Sequence, residues 1–232
     1  MPDAMTGPLV RLREVSRTYG HDARAVVALH GVSCDIDAGA RIAVVGPSGS
    51  GKSTFVQLLA GLDRPTRGSI DWAGLGGPPQ DDPTRVGVVF QGPSLVPALT
   101  AEENVALPLV LRGTAHREAQ ECARAHLRRV GVEAVAHQLP DELSGGQAQR
   151  VAVARVLALR PRLILADEPT GKLDQSAGRR VVEVLLETAD ELGAALLVTT
   201  HDPHVVSRLG TRWRMHDGAL DLLPDVVAGE PR

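Results

Sequence analysis

The chain has 232 residues, of which 43% are hydrophobic and 2% aromatic. This excludes a disordered chain and predicts a core built from Ala, Val, Leu and Ile. With 25 Lys and Arg against 28 Asp and Glu, a formal net charge of −3, bulk charge argues against a strongly basic nucleic-acid binder.

No run approaches the roughly 18–20 apolar residues of a membrane helix. The start, MPDAMTGPLVRLREV, lacks the continuous apolar core of a leader. The expectation is a cytosolic chain that reaches a membrane only through a partner. Cys34 and Cys122 read as buried free thiols, not as a disulfide. Leu9–Val15 and Val32–Ile36 alternate apolar and polar residues, as half-exposed antiparallel strands do. Arg41–Val45 reads as a buried strand. A Gly-rich turn follows, then a helix with Phe55, Leu58, Leu59 and Leu62 at helical spacing. Arg85–Phe90 is a further strand. From about Gly92 to Leu143 the strand signal disappears; Pro93, Pro97 and Pro108 precede an Arg-rich helical pattern over Ala115–Val130. Leu163–Asp167 and Ala195–Thr200 are two more apolar strands. Between them a helix with Val182, Leu185, Ala189 and Leu192 on one face stops at Gly193. Asp217-Gly218 signals a turn near the last strand. Alternating continuous apolar strands and helices predict an α/β fold with a parallel sheet covered on both faces. The predicted organisation is a single domain over 8–222: a mainly antiparallel β-subdomain at 8–40, a core at 41–91 and 151–222, and a helical subdomain at 92–150. Residues 1–7 and 223–232 are terminal tails.

Gly46–Thr54 reads GPSGSGKST, matching G-x-x-x-x-G-K-[ST] between a strand and a helix. Gly46, Gly49 and Gly51 let the backbone wrap a phosphate, with Pro47, Ser48 and Ser50 completing the loop. The helix start adds its positive dipole end. Lys52 can reach the β- and γ-phosphates, Ser53 closes the motif and offers a hydroxyl to Mg²⁺, and Thr54 follows it on the same helix start. Downstream, Asp167 ends an apolar strand and Glu168 follows at once. The first suits a partner for Mg²⁺ through water, the second a base that orients attacking water.

Leu143–Arg150 reads LSGGQAQR. Ser144 is an N-cap and Gln147 stands at the capping-box spacing. Gly145 and Gly146 leave the first N–H groups uncovered, so this helix start is a second anion site, about ninety residues from the first. One nucleotide does not obviously need both.

This arrangement resembles the ATP-binding subunits of ABC transporters, whose signature is LSGGQ, from about Val10 to Gly218. The resemblance implies a P-loop NTPase (RecA-like) core with an N-terminal antiparallel β-subdomain and an inserted α-helical subdomain. It implies that Tyr19 stacks on adenine and that Gln91 is the Q-loop glutamine, a Mg²⁺ ligand linking the site to the helical insert. Asp167 becomes the Walker B aspartate, Glu168 the catalytic glutamate, Leu173–Asp174 the D-loop, and His201 the histidine sensing the γ-phosphate. The segment Val89–Gly113, the ADEPTGKLD run and the insert after Tyr19 resemble the branch containing macrolide exporters, lipoprotein-release ATPases and the cell-division ATPase FtsE. Lys172 stands where that branch usually has Asn, Gln175 where it has Ser, and Ala148 where Gln is common.

The resemblance implies an ATPase with ATP and Mg²⁺ as ligands, coupled to export- or extraction-type transport. A second ATPase subunit would complete each site, with Ser144, Gly145, Gly146 and Gln147 binding nucleotide in trans. An integral membrane permease would be gripped through roughly 92–111, with Leu95, Val96, Leu107, Leu109 and Val110 as apolar contacts. The chain would lie on the cytoplasmic face of the plasma membrane and bind no nucleic acid. The alternative is an FtsE-like ATPase of a non-transporting complex that controls a cell-wall hydrolase. His201, His204 and His216 lack a recognised zinc-ligand spacing. Arg112, Arg117, Arg124, Arg128 and Arg129, interspersed with Glu118 and Glu121, read as a solvated helix face. Trp72 and Trp213 read as strand packing.

Overall fold

The computed structural model describes residues 7–20 and 22–223. Its elements in chain order are β1 (Val10–Tyr19), β2 (Val26–Ile36), β3 (Arg41–Val45), α1 (Lys52–Leu59), β4 (Arg67–Asp71), β5 (Val86–Val89), α2 (Ala101–Leu111), α3 (His116–Arg129), α4 (Gly145–Ala158), β6 (Leu163–Asp167), α5 (Gln175–Leu192), β7 (Ala195–Thr199), α6 (Pro203–Ser207), β8 (Thr211–His216) and β9 (Ala219–Leu222).

The apolar strands form one sheet in the order β5-β6-β7-β3-β8-β9, parallel except for the β8–β9 hairpin at its edge. That hairpin turns on Asp217 and Gly218, both at positive φ, as a two-residue turn matched to strand twist requires. Successive side chains on a strand point to opposite faces, so each strand feeds two cores. Ala43, Val89, Ile164, Ala166, Leu196 and Val198 pack with Val151 of α4 and Val181 and Leu185 of α5. Ile42, Val44, Leu163, Leu165, Ala195 and Leu197 pack with Phe55, Leu58 and Leu59 of α1 and with Leu12, Leu29 and Ile36. Burial on both faces is why these strands read as continuous apolar runs.

The smaller sheet is antiparallel, in the order β2-β1-β4. Its third strand, β4, comes from residues 67–71, outside the 8–40 stretch read as the β-subdomain. The sequence RGSID is mostly exposed and carries little apolar signal; pairing with β1 makes it a strand. β1 also runs on to Tyr19, past the predicted end at Val15, through three register irregularities. Leu62 does not belong to the apolar face of α1. The helix ends at Leu59, the chain turns at Gly61 (φ 66°), and Leu62 is 61% exposed.

The insert between β5 and β6 carries α2, α3 and α4. α2 opens on a capping box in which Thr100 and Glu103 bond each other's backbone N–H. Buried Asn104 donates to the carbonyls of Val96, Leu99 and Thr100, pinning the preceding loop to the helix. The arginines of α3 are ion-paired: Arg117 with Glu121, Arg124 with Glu102, Arg128 with Glu133, Arg129 with Glu191. Trp213 is buried beside Phe55, and Trp72 donates its indole N–H to the carbonyl of Leu59.

Both cysteines are free. Cys34 is buried in the β-subdomain, and burial pushes its thiol up to about 12. Cys122 is half-buried rather than buried, and burial raises its pKa too. We predict that at pH 8 a thiol reagent labels Cys34 in the native protein roughly three orders of magnitude more slowly than a free cysteine. Denaturation restores the ordinary rate. Prompt labelling of Cys34 in the native state contradicts this account of its burial.

Candidate active site

β3 delivers the chain directly into Gly46. A Cβ there would collide with the carbonyl of Met215 on β8 and lie 2.8 Å from Ser50 Oγ. Only glycine lets the loop leave the sheet at this point. Gly51, at φ 105°, is the N-cap of α1, and a Cβ there would come within 2.5 Å of the Ala28 carbonyl. No side chain caps α1, so its first N–H groups are left for an anion. Lys52 is 6% exposed and donates to the carbonyls of Gly46 and Pro47, each at 2.9 Å. Its Nζ also lies 3.7 Å from Glu168 Oε1. The ammonium thus lies folded over the loop. Ser50 is buried with an unpartnered hydroxyl, below the loop rather than lining it.

The loop forms one wall of a cavity of about 500 Å³. Gly46, Pro47, Ser48, Gly49, Gly51, Lys52, Ser53 and Thr54 line it together with Gln91, Glu168 and His201. Val26, Val27 and Ala28 of β2 complete the wall. Val26 and Val27 are 64% and 42% exposed, an apolar shelf that sequence reading missed because it lies at the edge of a short insert. Tyr19 is not in the lining. It is the cross-strand partner of Val26 and so stands beside that shelf.

The carboxylates come from the end of β6. Asp167 is 7% exposed and accepts a 2.6 Å hydrogen bond from the buried Thr199 hydroxyl. Glu168 follows with φ 45°, a left-handed conformation that costs a non-glycine residue on the order of 1 kcal/mol or more. Its backbone N–H donates to both the carbonyl (3.1 Å) and the hydroxyl (3.0 Å) of Thr199, which hold the turn. Gln91 Nε2 donates to Glu168 Oε2 at 3.3 Å. One carboxylate therefore touches the loop lysine on one side and the glutamine after β5 on the other. The sequence reading places Thr199 within the Ala195–Thr200 strand and gives it no role; a hydroxyl in an otherwise apolar strand is the signal there. Ser53, Gln91 and Asp167 supply oxygen donors, the kind Mg²⁺ takes.

Ser144 caps α4 as its spacing predicts: Gln147 N–H donates to Ser144 Oγ (3.2 Å) and Ser144 N–H to Gln147 Oε1 (2.8 Å). Ser144, Gly145, Gly146 and Gln147 are not in the cavity lining, and neither is Asp174. Asp174 caps α5, accepting from the N–H of Ser176 and Ala177. The Ala177 N–H foremost, then the Ser176 hydroxyl, holds its carboxyl below the ordinary range. Buried Gln149 of α4 donates to the carbonyl of Phe90, immediately before Gln91.

A family model for the ABC transporter matches residues 29–171. Over 228 residues the chain is 43% identical to the lipoprotein-releasing system ATP-binding protein LolD of Anaeromyxobacter dehalogenans, covering 95% of each chain. The chain belongs to the ABC transporter family. Within that family this ATPase is also 41% identical to the macrolide export ATP-binding/permease protein MacB of Burkholderia pseudomallei, spanning 97% of itself but 37% of that longer protein. Among solved structures, a dimeric post-hydrolysis state of the ATP-binding cassette MJ0796 bound to ADP and Pi superposes with a TM-score of 0.86. The identity is 34%, with 94% of this chain and 100% of the other covered. The ABC ATPase fold, a P-loop core with an antiparallel β-subdomain and an inserted helical region, is the fold described above.

We predict that Gly46→Ala destabilises this ABC ATPase by about 2 kcal/mol or more, because the methyl is driven into a strand carbonyl that the sheet holds in place. Urea unfolding measures it. A variant as stable as wild type contradicts the packing described for the loop.

Proposed function

We propose that Glu168 is the general base of ATP hydrolysis, the reading carried by its contacts with Lys52 and Gln91 above the phosphate loop. The loop N–H groups and the start of α1 bind the phosphates of ATP. Lys52 then exchanges the carbonyls of Gly46 and Pro47 for β- and γ-phosphate oxygens. Mg²⁺ held by Ser53 and Gln91, with Asp167 acting through water, would neutralise charge on those phosphates. Water held by Glu168 attacks the γ-phosphorus. The new O–P bond forms as the bond to the β-phosphate oxygen breaks, ADP leaves with that oxygen, and the water's proton passes through Glu168 to solvent. His201, in the same cavity lining, contacts the γ-phosphate. Tyr19 carries the adenine beside the Val26–Val27 shelf.

A second ATPase subunit supplies the other half of each site. Ser144, Gly145, Gly146 and Gln147 bind the γ-phosphate of the nucleotide held by the partner, and Asp174 lies in the D-loop that faces it. The observation behind this is the glycine-bare start of α4, where Gly145 and Gly146 follow the Ser144 cap, outside the cavity of its own chain. ATP closes the pair and hydrolysis opens it, a population shift driven by contacts that only the γ-phosphate makes.

An integral membrane permease receives the motion through roughly residues 92–111. Val96, Val110 and Leu111 present exposed apolar surface there, whereas Leu95 and Leu109 pack against the core. Leu111, 77% exposed, is an addition to the contacts read from sequence. Attachment to the cytoplasmic face of the plasma membrane is through this partner. Among the described residues no helix is long and apolar enough to cross a membrane. The relatives named above serve lipoprotein release and macrolide export, which supports an export- or extraction-type machine over the cell-wall-regulating alternative.

Glu168→Gln should bind ATP within about twofold of wild type yet lose at least about 100-fold in phosphate release. Release at the wild-type rate would remove Glu168 as the base. Equal loss of ATP binding would mean that the side chain holds the loop rather than the water.

A further inference from the structure

Three side chains meet at the end of β1, where Tyr19 pairs with Val26 of the cavity wall. The Arg17 guanidinium lies over the ring of Tyr19, 4.3 Å from its centroid. Tyr19 Oη donates to Asp63 Oδ2 at 2.8 Å, and Arg17 Nε donates to the same oxygen at 2.8 Å. The other carboxylate oxygen accepts the Arg64 backbone N–H at 2.7 Å. Arg17 and Asp63 are 24% and 21% exposed, less open than the Arg117–Glu121 and Arg128–Glu133 pairs of α3. Their charges are mutually fixed. The bond to Asp63, foremost, raises the Arg17 pKa, while burial of Asp63 is outweighed by the bonds from Arg64, Tyr19 and Arg17, which lower it.

We propose that Arg17 and Asp63 are positioning residues for adenine recognition: they lock the Tyr19 ring with one face covered by the guanidinium and the other left for the base. This rests on the reading of Tyr19 as the adenine platform. A tyrosine at the end of a strand, 37% exposed, has no reason of its own to hold one orientation. Here the hydroxyl is tied down and a cation occupies one face, so a planar, weakly polar ligand finds a single prepared surface. Asp63 also joins the two ends of the nucleotide site. It follows α1, whose first turn begins at the phosphate loop, and it grips β1, which carries the base platform. Thr66 reinforces the seam, accepting the Thr18 N–H at 3.0 Å and donating its own N–H to the Ser16 carbonyl at 2.8 Å. Phosphate binding needs none of this. The clamp therefore contributes to the affinity of nucleotides and not to that of polyphosphates.

The test compares calorimetric binding of Mg-ADP and magnesium pyrophosphate to wild type, Asp63→Asn, Arg17→Ala, Tyr19→Phe and Tyr19→Ala. ADP avoids turnover during the titration. Freezing one side chain is an effect of about 3- to 10-fold in affinity. Asp63→Asn, Arg17→Ala and Tyr19→Phe should weaken ADP by that factor and leave pyrophosphate unchanged. Tyr19→Phe keeps the ring and removes only the hydroxyl anchor, so it isolates the clamp from the stacking surface. Because Tyr19 is the only tyrosine in the chain, 3-fluorotyrosine gives one ¹⁹F resonance. That resonance should shift on adding ADP to wild type, and in Asp63→Asn it should already be displaced and broadened without ligand. If Tyr19→Ala selectively weakens ADP while the Asp63, Arg17 and Tyr19→Phe variants do not, the clamp is overturned and the platform reading stands. If Tyr19→Ala leaves the ADP-to-pyrophosphate ratio unchanged, both are overturned. A parallel loss of ADP and pyrophosphate in Asp63→Asn, with a lowered melting temperature, would reduce Asp63 to a structural residue and overturn the clamp.

Discussion

The parallel pairing of β5, β6, β7 and β3 is the constraint from which the active site follows. In a parallel sheet all carboxyl ends open on the same side, and ligands bind in the crevice beyond them. β3 ends at the phosphate loop, β5 just before Gln91, β6 at Asp167 with Glu168 next, and β7 at Thr199 with His201 two residues on. Neighbours in the order β5-β6-β7-β3 therefore bring a glutamine, two carboxylates, a hydroxyl, a histidine and a lysine loop to one crevice without any long-range side-chain device. Thr199 shows how closely the ends are matched. Its hydroxyl bonds Asp167, and its carbonyl and hydroxyl take the N–H of Glu168, so adjacent strands fix both carboxylates through one residue. The left-handed backbone of Glu168 is the local cost of turning the second carboxylate toward Lys52 and Gln91.

The helical insert attaches to this crevice through α4, which grips the chain leaving β5. Gln149 of α4 holds the Phe90 carbonyl, and Arg155 of α4 donates to the carbonyl and hydroxyl of Ser94. The chain leaving β5 is thus bonded to the helix that begins at Ser144, about sixty residues later in sequence. A change felt at Gln91 has a short, hydrogen-bonded route both to the signature helix start and to the exposed apolar residues of the 92–111 segment. That geometry favours coupling among base chemistry, partner subunit and membrane subunit.

Legibility in the sequence followed burial. Leu163–Asp167 and Arg41–Val45 were readable to the residue because both faces are covered and no polar position interrupts them. The capping box at Ser144 and Gln147 was readable because its chemistry is local. β4 was not, since RGSID is held by pairing rather than by an apolar face. Leu62 was misplaced because periodicity does not register the turn at Gly61. The phosphate loop, the carboxylate pair and His201 were legible as motifs. The Val26–Val27 shelf, the Thr199 bridge and the Arg17–Asp63 contact were not, because each depends on strands brought together by the fold. Arg17 and Asp63 are 46 residues apart, and nothing local in either segment predicts that they meet on one tyrosine.

The central claim is that one chain holds two halves of two different nucleotide sites. Sedimentation of Glu168→Gln with and without Mg-ATP tests it most directly, alone and with Gly145→Asp added. A side chain at Gly145 meets open space, so the fold tolerates it, while the added carboxylate occupies the anion-binding helix start. The account predicts a monomer without nucleotide, a dimer with ATP, and a monomer under both conditions once Gly145→Asp is present. A Glu168→Gln chain that stays monomeric at saturating ATP, or a Gly145→Asp variant that dimerises unimpaired, contradicts it.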